Sequence, residues 1–204
     1  MNQALFEKEG VEIIGVILNK VLGKKIDYIT EFARRGLKRK GLELLGVVPH
    51  QPILSQPTMQ LIREELNAEV LNQSDGLHNS VQEVLIGAMG VQNALHLFKK
   101  GVLIITPGDR EDIILAVAST LSDEGDRGLA GMILTRNLKP SKESQRVIGK
   151  MPFPVLSAAE DSYDVASRVH DLTVKIRPDD TQKIALIRDL IAQHVDTNKI
   201  LEAL

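Results

Sequence analysis

The stretch that most constrains this chain runs from Val102 to Asp112: an apolar, largely β-branched run, then Pro107-Gly108, then Asp109-Arg110-Glu111-Asp112. An apolar run that stops at Pro-Gly and opens into an acidic segment predicts a buried strand, a tight turn and a helix N-terminus. A strand that is apolar at successive positions belongs in a parallel sheet with helices on both faces. In open parallel sheets, ligands settle beyond the carboxyl ends of the strands, near helix N-termini. The turn is therefore both a fold signal and the first candidate binding site.

The rest of the chain repeats the alternation. Apolar runs at 11–18, 42–48, 69–72, 84–89, 129–135 and 154–157 predict further strands, and 173–176 an edge strand. Helical periodicity marks 26–40, 58–66 (with Thr58 as cap), 91–98, 110–122, 141–149, 161–171 and 181–195. Residues 1–9 read as the end of a helix stopped by Gly10, and Ile200, Leu201 and Leu204 close the chain. Three prolines within 49–57 make that segment loop. The expected fold is three-layer α/β/α around a mostly parallel sheet, preceded by a short βαβα amino-terminal segment. The expected division is 1–66 and 67–204. Two strands make a poor sheet on their own, so the first segment is expected to be the tail of a larger domain or a remnant packed on the rest.

Composition removes several function classes. With 25 basic and 27 acidic residues the net charge is −2, which gives no electrostatic footprint for nucleic acid or an anionic membrane. Aromatics make up 3% with no Trp, so a stacking platform for single-stranded bases is not expected. The absence of Cys excludes disulfides, thiolate metal sites and a Cys nucleophile. No apolar segment has the length of a membrane span and the N-terminus lacks a secretory pattern, so the expected location is the cytoplasm. His50, His78, His96, His170 and His194 show no zinc spacing, and no P-loop, GxGxxG or GxSxG motif is present. No catalytic constellation emerges, and no metal site is expected.

The candidate site is built around the turn. Asp109 sits where a helix N-cap belongs, and Glu111 and Asp112 suit the first turn of a helix dipole. Gly108 would let backbone approach a ligand, and Arg110 could hold a phosphate or carboxylate in a two-pronged grip. Thr135-Arg136-Asn137 ends the next strand and is expected beside the first turn, with Asn137 tolerating positive φ. Asp161 opens a later helix, most simply as its N-cap, and the polar turn at Asp75–His78 is expected on the same rim. The candidate ligand-binding set is Gly108, Asp109, Arg110, Thr135, Arg136 and Asp161. The plain alternative is that these residues only cap helices and reverse the chain.

The residues carry a family resemblance. ITPGDREDIILA across the Pro107-Gly108 turn, GMILT (131–135) and PVLSAAEDSYDVA (154–166) resemble the DRTGG domain, and VLIGAM (84–89) fits the same pattern. The resemblance covers about residues 67–195. It implies a fold similar to the amino-terminal domain of HPr kinase, and a place in the amino-terminal region of long bacterial phosphate acetyltransferases or beside nucleotide-binding CBS domains in some pyrophosphatases. Asp109 and Arg110 match the family name, whereas its Thr-Gly-Gly reads Thr135-Arg136-Asn137. IIGVILNKV (13–21) and LLGVVPHQPIL (44–54) resemble the closing portion of a dethiobiotin-synthetase-like P-loop domain without its P-loop. The resemblance implies a regulatory domain without catalysis of its own. It would sense an adenine nucleotide or small anionic metabolite and signal to a partner enzyme domain, as a homo-oligomer. The alternatives are a structural homo-oligomerisation module and a fragment of a phosphate acetyltransferase or ATP-dependent enzyme.

Overall fold

The computed structural model describes residues 3–121, 128–178 and 180–203. In chain order these form α1 (Gln3–Lys8), β1 (Val16–Val21), α2 (Ile26–Lys38), β2 (Leu44–Pro49), α3 (Met59–Leu66), β3 (Glu69–Val70), β4 (Glu83–Ile86) and α4 (Val91–Ala94). There follow β5 (Val102–Pro107), α5 (Glu111–Thr120), β6 (Gly131–Thr135), α6 (Lys142–Ile148), β7 (Val155–Ser157), α7 (Ser162–Asp171), α8 (Thr181–His194) and α9 (Thr197–Glu202). They make two compact units, Met1–Leu54 with Ile176–Leu204, and Ser55–Lys175.

The Ser55–Lys175 unit holds a five-stranded sheet in the order β3-β7-β6-β5-β4. β4 to β7 are parallel, and β3 pairs antiparallel with β7. Each parallel strand neighbours the next in sequence, so α4, α5 and α6 all cross on one face, as right-handed connections require. The β5 run explains how a strand can be apolar throughout. Val102 and Ile104 pack with Ala94, Ile113, Val117 and Ile148 beneath those helices. Leu103 and Ile105 point the other way, into Met59, Ile62 and Leu66 of α3 and Val165 and Val169 of α7. Successive side chains serve opposite layers, and the three-layer arrangement follows.

β3 stops after two residues because Asn72 takes over from the ladder. Its amide donates to the Met151 and Phe153 carbonyls at 3.1 and 2.9 Å, and its oxygen accepts from the Val155 N–H at 2.9 Å. The expected edge strand at 173–176 does not form. The chain after α7 shares a surface cleft with Leu61 and Glu65 of α3 and pairs with no strand among the described residues. Helix α5 ends at Thr120, and the expected helical residue Ser122 lies outside the described residues, as does Leu204.

The other unit is built on a two-stranded parallel sheet, β1-β2. Val48, Leu190 and Val195 form its core with Leu54, Leu186 and Ile200. β1 begins at Val16 and not at residue 11. The Val16 N–H donates to the Glu43 carbonyl at 2.8 Å, and upstream of it the single partner strand, which starts at Leu44, offers nothing to pair with. Helix α3 belongs to the larger unit through its buried Met59, Ile62 and Leu66, and α8 to the smaller through Leu190. The compact units divide at 54/55 and 175/176, where the sequence reading sets its boundary at 66/67, and carboxyl-terminal helices join the amino-terminal βαβ.

Candidate functional site

The sheet of the larger unit brings the turns after β4, β5, β6 and β7 to one carboxyl-end rim. All six predicted ligand-binding residues lie there. The Gly108 N–H points to the Thr135 carbonyl at 3.4 Å, and the Arg136 and Asn137 N–H groups each donate at 3.0 Å, to the Glu160 and Ala158 carbonyls. The turn at Asp75–His78 is not among them. Asn79 beside it donates to the Ala130 carbonyl at 3.2 Å, at the amino end of β6, so it faces the opposite rim.

Geometry changes the roles of three of these residues. A Cβ on Gly108 would stand 1.9 Å from the Leu138 carbonyl oxygen, so its small size admits the β6–α6 loop and leaves no opening for a ligand. Asp109 is exposed and does not cap α5. The turn closes through Arg110 N–H to the Pro107 carbonyl at 3.1 Å, and Arg110, without a capping bond, takes the N-cap position. The Arg110 guanidinium is already occupied. It donates to both oxygens of Asp112 at 2.8 and 2.9 Å, and to the Gly87 and Met89 carbonyls at 3.0 and 3.3 Å. Its pKa is raised, chiefly by the bond to Asp112, and that carboxylate is lowered in return. A two-pronged grip exists, but Asp112 fills it.

Glu111 reaches the other way. Its carboxylate accepts from the Ser141 N–H at 2.7 Å and from the Ser141 and Ser144 hydroxyls at 3.0 and 3.1 Å. These bonds, the backbone one foremost, hold its pKa below the ordinary value. Arg110 and Glu111 thus tie the first turn of α5 to the β4–α4 turn on one side and to the start of α6 on the other. Beyond the acidic first turn nothing in the sequence signals this clasp, because the partners lie far away along the chain.

Arg136 is differently placed. It and Asn137 hold φ of 65° and 51°, the left-handed region in which Gly-Gly would sit without strain. Its side chain is 63% exposed and only 3.5 Å from Asp161, a weak and readily replaced pair. Asp161 caps α7 as expected, accepting from the Tyr163 and Asp164 N–H groups at 3.0 Å each, and its pKa is lowered by those bonds and by Arg136. Thr135 is buried, its hydroxyl 3.0 Å from that of Ser162. Beside this turn opens a cavity of about 600 Å³, lined by Asn137, Lys139, Gln145, Ser157, Glu69 and Leu71 among others. Among the described residues no group of three or more His, Asp or Glu side chains could hold a metal ion. None of their helices is long and apolar enough to cross a membrane.

The DRTGG domain family matches residues 61–172, the whole rim included. This chain belongs to the DRTGG domain family. It is also similar to phosphate acetyltransferases, 35% identical over 195 residues to that of Pseudomonas putida and 32% over 204 residues to that of a Synechocystis strain. These alignments take in 91% and 98% of this chain but 27% and 29% of those proteins. The chain therefore spans under a third of the length of these relatives. A solved structure of the CBS and DRTGG domains from the regulatory region of Clostridium perfringens pyrophosphatase, in complex with its activator diadenosine tetraphosphate, is similar at TM-score 0.48 and 16% identity over 86% of each chain.

Proposed function

We propose that this DRTGG protein is a regulatory, metabolite-sensing part of a phosphate acetyltransferase-type system, with no catalysis of its own. Its ligand would be an adenine nucleotide or a small anionic metabolite, bound on the carboxyl-end rim. The observation that carries this reading is Arg136, an exposed cation held in a left-handed turn beside a cavity of about 600 Å³. Arg136 replaces Arg110 as the anion-holding residue, because Arg110 is consumed internally. Asn137 and Ser157 supply polar atoms to the cavity wall, Lys139 a second cation, and Thr135 and Asp161 shape the turn. The reading includes a cytoplasmic setting and a partner enzyme domain that receives the signal.

Residues 1–66 enter the same reading as the closing part of a dethiobiotin-synthetase-like domain without its P-loop, the likeness being carried by 13–21 and 44–54. The parallel pairing of β1 with β2, the two strands that carry that resemblance, supports it. Isothermal titration of the whole chain against adenine nucleotides, NADH, pyruvate and acetyl-CoA tests the sensing function. Saturable heat from one of them, lost in Arg136→Ala, is the expected result. Silence from all four classes overturns it.

A further inference from the structure

The rim cavity follows from how the larger unit is wound. The crossings on one face end with α6, between β6 and β7, so β3 at the sheet edge projects beyond that helical layer. Glu69 stands directly opposite Ser157, and Leu71 follows two residues on, so all three side chains share a face. It is the α6 face, because Val155, two residues before Ser157, packs with Ile148 in that core. Gln145 and Ile148 of α6 and the turn at 137–140 close the other sides, leaving about 600 Å³. Every lining residue belongs to the Ser55–Lys175 unit and to the span that matches the DRTGG family.

We infer that this cavity takes the adenosine part of a nucleotide, with the Glu69 carboxylate accepting the vicinal ribose hydroxyls. The inference rests on the sensing function proposed above and narrows its ligand. Glu69 and Lys139 make no ion pair among the described residues. A small anion filling the cavity by itself would meet Lys139 but be repelled by Glu69, and would leave Leu71, Leu138 and Ile148 without an apolar partner. A vicinal diol instead offers two O–H donors to a carboxylate that can only accept. The two amides are each half committed. Gln145 donates its Nε2–H to the Pro140 carbonyl at 2.8 Å, and Asn137 Oδ1 accepts from the Ser157 hydroxyl at 3.3 Å. What remains is one acceptor, Gln145 Oε1, and one donor, Asn137 Nδ2, the complement of adenine's amino group and ring nitrogen. The three apolar side chains supply surface for the base to cover, and the volume falls within the roughly 300–1,000 Å³ usual for small-molecule sites. Lys139, with Arg136 on the adjoining turn, is left for the phosphates. The Glu69 carboxylate also turns away a ribose phosphorylated at its 2′ or 3′ hydroxyl.

Isothermal titration of the whole chain compares adenosine 5′-diphosphate with its 2′-deoxy analogue, in the parent and in Glu69→Gln. The parent should bind the deoxy analogue about tenfold more weakly, the worth of a hydrogen bond to a charged group. Glu69→Gln should lose about tenfold for adenosine 5′-diphosphate and barely distinguish the two nucleotides, whereas a merely structural effect would weaken both alike and keep their ratio. Inorganic pyrophosphate, which lacks the nucleoside, should bind the parent more weakly than the nucleotide does and gain affinity in Glu69→Gln. Nucleotide binding indifferent to the 2′-hydroxyl, a ratio unchanged by Glu69→Gln, pyrophosphate binding as tight as the nucleotide's, or heat from pyruvate alone would each overturn this inference and leave the sensing function standing. Silence from every probe overturns both.

Discussion

At Arg136 the chain keeps a long charged residue where its backbone asks for glycine. A residue other than glycine in the left-handed region costs about 1 kcal/mol or more, and asparagine less. Arg136→Gly should therefore raise stability in urea by up to about 1 kcal/mol, while Asn137→Gly stays near neutral. If Arg136 holds the ligand, the same variant that gains stability loses affinity, and that opposition separates a functional residue from a structural one. Gly108 makes the converse case. Gly108→Ala puts a methyl group into the Leu138 carbonyl and should cost about 1–3 kcal/mol in the same unfolding measurement. Both residues were legible as turn positions from the Pro-Gly and strand-end pattern. Their roles were not, since a glycine that admits a neighbouring loop and one that admits a ligand look alike until the loop is placed.

The first turn of α5 works as a clasp, and its two residues predict different failures. Arg110→Ala releases the Gly87 and Met89 carbonyls together with Asp112. Faster amide exchange across the β4–α4 turn and a loss of about 1–2 kcal/mol in unfolding free energy should follow. Ligand affinity should change less than in Arg136→Ala. Glu111 governs the acid side. Its pKa in the fold lies below the ordinary 4.5, and those of Asp112 and Asp161 lie below 3.8. A carboxylate with a lowered folded pKa adds stability above its unfolded value and loses it as pH falls through the folded one. The contribution is therefore whole at neutral pH and fades below 4.5. Glu111→Gln should be less stable at neutral pH and show a shallower decline in urea midpoint towards pH ~3 than the parent. Arg110 stays charged throughout and adds no slope. At this scale the sequence was most readable. β5, β6, α6 and α7 stand where periodicity puts them, because each has a continuous apolar run or a clean apolar stripe with a cap. β1 and the 173–176 segment misled because a short apolar run does not say whether a partner strand lies beside it.

The whole molecule is one continuous unit inserted into a discontinuous one. Ser55–Lys175 contains both faces of its own sheet, with a core beneath α4–α6 and another beneath α3 and α7. The other unit needs both ends of the chain, because β2 is covered by α8 and the Asp196 N–H donates to the Leu45 carbonyl at 2.8 Å. A fragment of residues 55–175 should consequently fold alone, unfold in one cooperative urea transition and keep the affinity of the whole chain for its ligand. Leu190→Ala in the whole chain should cost about 2–4 kcal/mol in the transition of the smaller unit and leave the larger unit's transition where it was. Circular dichroism and titration of the fragment check the first claim, and two-probe denaturation of the variant the second. A fragment without a cooperative transition, or a variant that shifts both transitions equally, would mean that the two units share their stability.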